Sequence, residues 1–190
     1  MGVFNCFLWL NVVGSCTVVY PDLDRAGNSG VIRTSMQVVI PQAAFKGCGR
    51  ITEWDMLASC SSGTSIVLQV WTPDSEQDLT YHLRSSELVT QPSGCSLTSP
   101  ITFSGFQNLT FQPGDVPGMY VRPGNEPFVQ PGFVSLGNDR QGALSDDIDH
   151  YLVMQKNSVV EVVTFNTGAN TVNGAVPLIS IKGRSGGSML

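Results

Sequence analysis

The densest group of side chains able to do chemistry is an acidic run, Asp146, Asp147 and Asp149, with Asn138 and Asp139 close before it. Carboxylates and amides are hard oxygen donors of the kind calcium takes, and sandwich loops commonly hold such an ion, so Asp139, Asp146, Asp147 and Asp149 are the candidate calcium ligands. A solvated acidic loop is the competing explanation. Asp22-x-Asp24-x-x-Gly27 imitates the start of an EF-hand loop, but Ala26 and Arg33 stand where its fifth and twelfth positions need oxygen. No other cofactor is expected.

Imidazole bases are limited to His82 and His150, and no G-x-S-x-G elbow accompanies either. His82 alternates with Tyr81 and Leu83 and is expected to face solvent or a neighbouring backbone. For glycoside hydrolysis the nominees are Glu53 with Asp55 or Glu87 with Glu161, pairs that would have to face each other across a cleft. No catalytic site follows from such spacing, so the chain is read as a non-enzyme.

The five cysteines, Cys6, Cys16, Cys48, Cys60 and Cys95, include no C-x-x-C pair and have two histidines to help them, which is a poor zinc set. Cys60 and Cys95 lie in Ser/Gly-rich turns. With a leader that carries Cys6 removed, Cys16, Cys48, Cys60 and Cys95 are the disulfide candidates, in any of three pairings; with it retained, one thiol is left over or pairs between chains, and buried thiols are the alternative. Asn108-Leu109-Thr110 is the one N-x-[ST] sequon, which makes Asn108 a candidate glycosylation site and agrees with an oxidising, secretory route.

Composition says what must position these residues. With 42% hydrophobic and 13% charged residues, against about 25% charged in an ordinary chain, the surface has to be made of Ser, Thr, Asn, Gln and Gly. A net charge of -5, with ten scattered Lys and Arg, leaves no footprint for nucleic acid or for an anionic membrane surface. No stretch approaches the roughly 18 apolar residues of a spanning helix.

The 20 Gly and 11 Pro cut the chain into short apolar stretches. Strands are expected at Val31 to Ile40, Ile51 to Leu57, Thr64 to Trp71, Leu79 to Arg84, Leu88 to Thr90, Ile101 to Phe103 and Leu109 to Phe111. Further strands follow at Val116 to Arg122, Phe133 to Leu136, Tyr151 to Gln155, Val159 to Phe165 and Val176 to Ile181. That is about eleven or twelve strands, and helical periodicity nowhere exceeds a turn. In the Thr64 strand, Ile66, Leu68 and Val70 point one way and Val67, Gln69 and Trp71 the other, so it is expected in mid-sheet and buried on one face. Lys156-Asn157 reads as a hairpin turn, and Gln112-Pro113-Gly114-Asp115 as a type II turn closed by Asp115. The fold class is all-β, a two-sheet antiparallel β-sandwich or jelly roll, over residues 16–182, with a flexible tail at 183–190.

Residues 1–15 have two readings. Val3 to Val13 is uncharged and mostly apolar, with small residues at Gly14 and Ser15, as in a leader cut after Ser15; it lacks a cation before the run and contains Asn5 and Asn11. Alternatively, Phe4, Cys6, Leu8, Leu10 and Val12 recur at period two, as in a half-buried strand.

Cys48-Gly49-x-Ile51-x-x-Trp54, then Leu68-Gln69-Val70-Trp71-x-Pro73 and Tyr81, then Phe111-Gln112-Pro113-Gly114-Asp115-Val116-x-Gly118 and Val176-Pro177-Leu178-Ile179, resemble a poorly characterised extracellular β-sandwich module of surface and secreted proteins of marine invertebrates. The likeness spans Val38 to Ile181 and implies whole-domain layout, with no catalytic or ligand residues to carry over. Read physically, Trp54 and Trp71 are expected on adjacent strands as anchors of the inter-sheet core, each indole N–H bonded to a carbonyl. A sugar-stacking platform is the alternative role for either ring.

Function is therefore expected to be that of a secreted, non-catalytic structural or adhesion module, whose partners are other extracellular proteins or itself. Self-assembly through the N-terminal strand is a bolder version. A lectin-like glycan-binding domain, helped by calcium, is the alternative.

Overall fold

The computed structural model describes residues 15–19, 28–31, 35–56, 58–59, 65–75, 79–90, 100–122, 130–135, 150–166, 168–173, 175–177 and 179–184. Among these residues the regular structure is all strand. In chain order the strands are β1 (Ser15–Val19), β2 (Asn28–Val31), β3 (Met36–Val39), β4 (Gly49–Met56), β5 (Ala58–Ser59), β6 (Ser65–Pro73), β7 (Thr80–Thr90) and β8 (Ile101–Ser104). They continue as β9 (Thr110–Phe111), β10 (Val116–Val121), β11 (Gln130–Ser135), β12 (His150–Gln155), β13 (Val162–Thr164), β14 (Thr171–Asn173), β15 (Ala175–Pro177) and β16 (Ile179–Arg184).

Two antiparallel sheets pack as a sandwich. One has the order β1-β16-β4-β8, with β9 also on β4; the other runs β13-β7-β6-β10-β3-β12-β14. A third set, β15-β11-β2 with β5 on β11, takes up strands from four distant parts of the chain.

Period-two patterning builds the sandwich. Ile51, Trp54 and Met56 of β4, with Ile179 and Ile181 of β16 and Ile101 and Phe103 of β8, meet Val38, Ile66, Leu68, Val70, Met119 and Val121 of the larger sheet in one buried core. The spacing from Ile51 to Trp54 departs from two because Gly183 pairs Ile51 while Lys182 pairs Glu53, a bulge at Thr52 that keeps both side chains inward.

The larger sheet has a second apolar side, where Val39, Trp71, Tyr81, Val116, Leu152, Val163 and Phe165 form another core. Borders β13 and β14 are six strand spacings apart, about 29 Å if the sheet were flat, yet the seven-residue step from Thr164 to Thr171 reaches at most about 25 Å. The sheet therefore curls around this second core. The links closing its concave side are tied at both ends. Lys156 N–H donates to the Ser35 carbonyl (2.8 Å) and Leu83 N–H to that of Glu161 (2.7 Å), while Phe165 N–H donates to Leu79 (2.9 Å) and Val153 N–H to Asn170 (2.8 Å).

Several sequence expectations change as a result. Strand β6 is central, between β7 and β10, but buried on both faces rather than one, because the curled sheet covers Gln69 and Trp71 as well. Lys156-Asn157 makes no hairpin: β12 and β13 pair with β3 and β7 and lie at separate places in the sheet. The stretch Val31 to Ile40 divides into β2 and β3 in different sheets, with Ser35 at φ 64 just before β3. Val176 to Ile181 likewise divides, β15 pairing β11 and β16 pairing β4. Leu79 to Arg84 and Leu88 to Thr90 are instead one strand, β7, with a bulge opposite Val70 and Trp71. The alternating stretch Phe4 to Val12 lies outside the described residues; β1 begins just after it.

Candidate functional site

Glu53 and Asp55 project from the same outer face of β4, two residues apart. Lys182, opposite Glu53 on β16, ion-pairs with Glu53 and lies 3.9 Å from Asp55, while the Thr102 hydroxyl donates to Asp55 Oδ1 at 2.6 Å. The hydrogen bond to Glu53 raises the Lys182 ammonium above the usual lysine range, with the charges of Glu53 and Asp55 adding to it and desolvation opposing. Carboxylates side by side on one strand, sharing a cation, do not flank a glycosidic bond from two sides. The second nominated pair is also separated. Glu87 accepts backbone N–H groups on the sandwich side of β7, and Glu161 sits on a link across the concave side.

His82 is exposed, with Nε2 3.7 Å from Asp74 Oδ1. His150 opens β12. Thr72, opposite His82 in register, commits its hydroxyl to Asp115 Oδ1 at 2.7 Å. Asp115 is a structural anchor: its side chain is 1% exposed, pairs with Arg84 and accepts the Gln112 N–H at 2.7 Å. Asp115 N–H returns to the Gln112 carbonyl at 3.1 Å, and Gly114 at φ 87 supplies the turn, so Gln112 to Asp115 is the closed turn its residues predict.

Trp54 and Trp71 are both fully buried and cannot stack a sugar ring. They lie in different sheets and different cores, Trp54 between the sheets and Trp71 inside the curl, and neither indole N–H has a partner among the described residues. An indole burying about 150–250 Å² gains on the order of 4–6 kcal/mol at about 25 cal/mol per Å². An unpaired N–H costs about 1–3 kcal/mol, so packing outweighs the missing bond.

Sequence reasoning gave no warning of two polar arrangements. Gln37 of β3 and Gln69 of β6 are completely buried, and Gln37 Nε2 donates to Gln69 Oε1 at 2.7 Å, with the Val38 and Met119 carbonyls at 3.1 and 3.2 Å. The available signal was a glutamine amid apolar residues in each strand. The second arrangement closes the sandwich along β7. Ser85 Oγ donates to the Thr110 carbonyl at 2.8 Å and accepts Thr110 N–H at 3.1 Å, and the Glu87 carboxylate accepts the N–H groups of Gln107 (2.9 Å) and Asn108 (3.1 Å). Asn108 and Thr110 are exposed and Leu109 between them is buried.

Asp139, Asp146, Asp147, Asp149, Cys60 and Cys95 lie outside the described residues. Cys16 stands on β1 opposite Gly183, and Cys48 is half-buried just before β4. Among the described residues no three His, Cys, Asp or Glu side chains group as a metal site.

These features define an all-β sandwich whose sheets and borders can make protein contacts. Compared with protein-family models, with curated proteins and with solved structures, the chain matches none.

Proposed function

We propose that the chain is a secreted, non-catalytic structural or adhesion module that works through protein contacts at its sheet borders and associates with copies of itself through its N-terminal strand. The observation that carries this reading is the place of β1. It is the border strand of its sheet, with β16 as its partner among the described residues, and it follows directly on the alternating apolar stretch Phe4 to Val12. An open border next to such a stretch favours strand addition between copies. The low charge, the sequon and the scattered cysteines support an extracellular setting, as does the likeness to the invertebrate surface module. Extracellular proteins, this chain among them, are the proposed partners.

Size-exclusion chromatography with light scattering tests it. The full chain is expected to associate and a chain lacking Met1 to Ser15 to run as a monomer. Monomers in both cases would remove self-assembly from the proposal.

A further inference from the structure

Among the described residues, β13 covers only one end of β7, so the rest of β7 forms the border of the larger sheet there. Strand β13 covers Thr80 to His82, and among the described residues no strand pairs with the outer side of Arg84 to Thr90. Leu88, 52% exposed, stands on this stretch. An uncovered strand with an exposed leucine invites pairing with any other open edge. No proline interrupts it, and its charges, Arg84 and Glu87, are engaged with Asp115 and with the Gln107 and Asn108 amides.

Asn108 is beside this border. Its main-chain N–H is held by Glu87 of β7, and buried Leu109 fixes the turn so that Asn108 and Thr110 face solvent. The two side chains that a glycosylation sequon needs are therefore on the surface, while the main chain of the same residues is bonded to Glu87 and Ser85 of the uncovered strand. We infer that Asn108 carries an N-linked oligosaccharide and that this glycan screens β7 from Arg84 to Thr90. The border at β1, in the other sheet of the sandwich, with the N-terminal stretch before it, is then the one at which copies are proposed to meet. The inference rests on the proposed secretory route. In the transfer, Asn108 Nδ2 attacks the anomeric carbon of a lipid-pyrophosphate-linked oligosaccharide. A carbon–nitrogen bond forms, the bond from that carbon to the pyrophosphate oxygen breaks, the lipid pyrophosphate leaves with the electron pair, and one amide proton is lost.

The test is expression of the full chain in eukaryotic secretory cells, once with its own N-terminus and once behind an added cleavable leader. One amidase-sensitive glycan is expected, absent from Asn108→Gln and from Thr110→Ala. A leader-bearing chain that emerges unglycosylated overturns the site. A glycan acquired only with the added leader upholds Asn108 and agrees with residues 1–15 acting as a strand rather than as a leader. Enzymatic removal of the glycan from folded protein, which does not depend on how the variants fold, is expected to raise the light-scattering mass by about twofold or more as borders pair. Leu88→Lys should reverse that rise. An unchanged mass after glycan removal overturns the screening role.

Discussion

Gly118 of β10 lies against the indole of Trp71 on β6. A methyl group at Gly118 would come within 2.7 Å of the Trp71 Cδ1 and Nε1 atoms and 2.6 Å of the Val38 carbonyl oxygen. Both strands sit in mid-sheet, so neither backbone can move aside without disturbing the sandwich core behind it. Gly118→Ala is expected to destabilise the protein by about 1–3 kcal/mol, the usual range for overpacking, seen as a lower urea midpoint with unchanged slope. A midpoint equal to that of the parent would show that Trp71 does not occupy this place.

The buried amides predict non-additivity. Gln37→Leu strands the Gln69 amide and Gln69→Leu leaves Gln37 with its backbone acceptors alone, so each is expected to cost about 1–3 kcal/mol. The double substitution removes both polar groups from the curl and should cost less than the sum of the two. A double-mutant cycle in urea measures this, and strict additivity would mean that the two amides are not coupled.

One hydroxyl joins the sheets at Ser85. Ser85→Ala should cost about 1 kcal/mol, because the bonds to Thr110 are near the surface and water replaces part of them. Amide exchange at Thr110 should accelerate with it. Protection unchanged from the parent would show that the two sheets are joined here by another contact, with Glu87 as the remaining link.

Burial raises the Tyr81 phenol above its ordinary range, and Lys182 is raised by its bond to Glu53. For groups raised in the folded state, the stabilisation is complete below the unfolded value, near 10 for both, and is lost as pH climbs through the folded one. Their contribution to the melting temperature is therefore expected to be constant through neutral pH and to fall once pH passes about 10. Tyr81→Phe and Lys182→Met should each remove part of that alkaline loss. A decline unaffected by either substitution would assign it to other groups.

Alternation in Ile66 to Trp71, the turn at Gln112 to Asp115 and the glycines and prolines between apolar stretches were enough to indicate an all-β sandwich. The reason is local: a period of two and a turn's backbone angles are properties of neighbouring residues. Exposure of His82 was legible in the same way, from its place between Tyr81 and Leu83. What the residues in sequence left open was partnership at long range. Whether Glu53 and Asp55 oppose each other or share Lys182 depends on β16, whose pairing with β4 is a contact between distant parts of the chain. Trp71 belongs to a different core from Trp54 because the larger sheet curls, and that curl arises from short links between borders that are remote in the strand order. Side-chain periodicity tells a residue which face of its strand it occupies; only the packed sheets decide what lies against that face, since burial is a property of the whole assembly of strands.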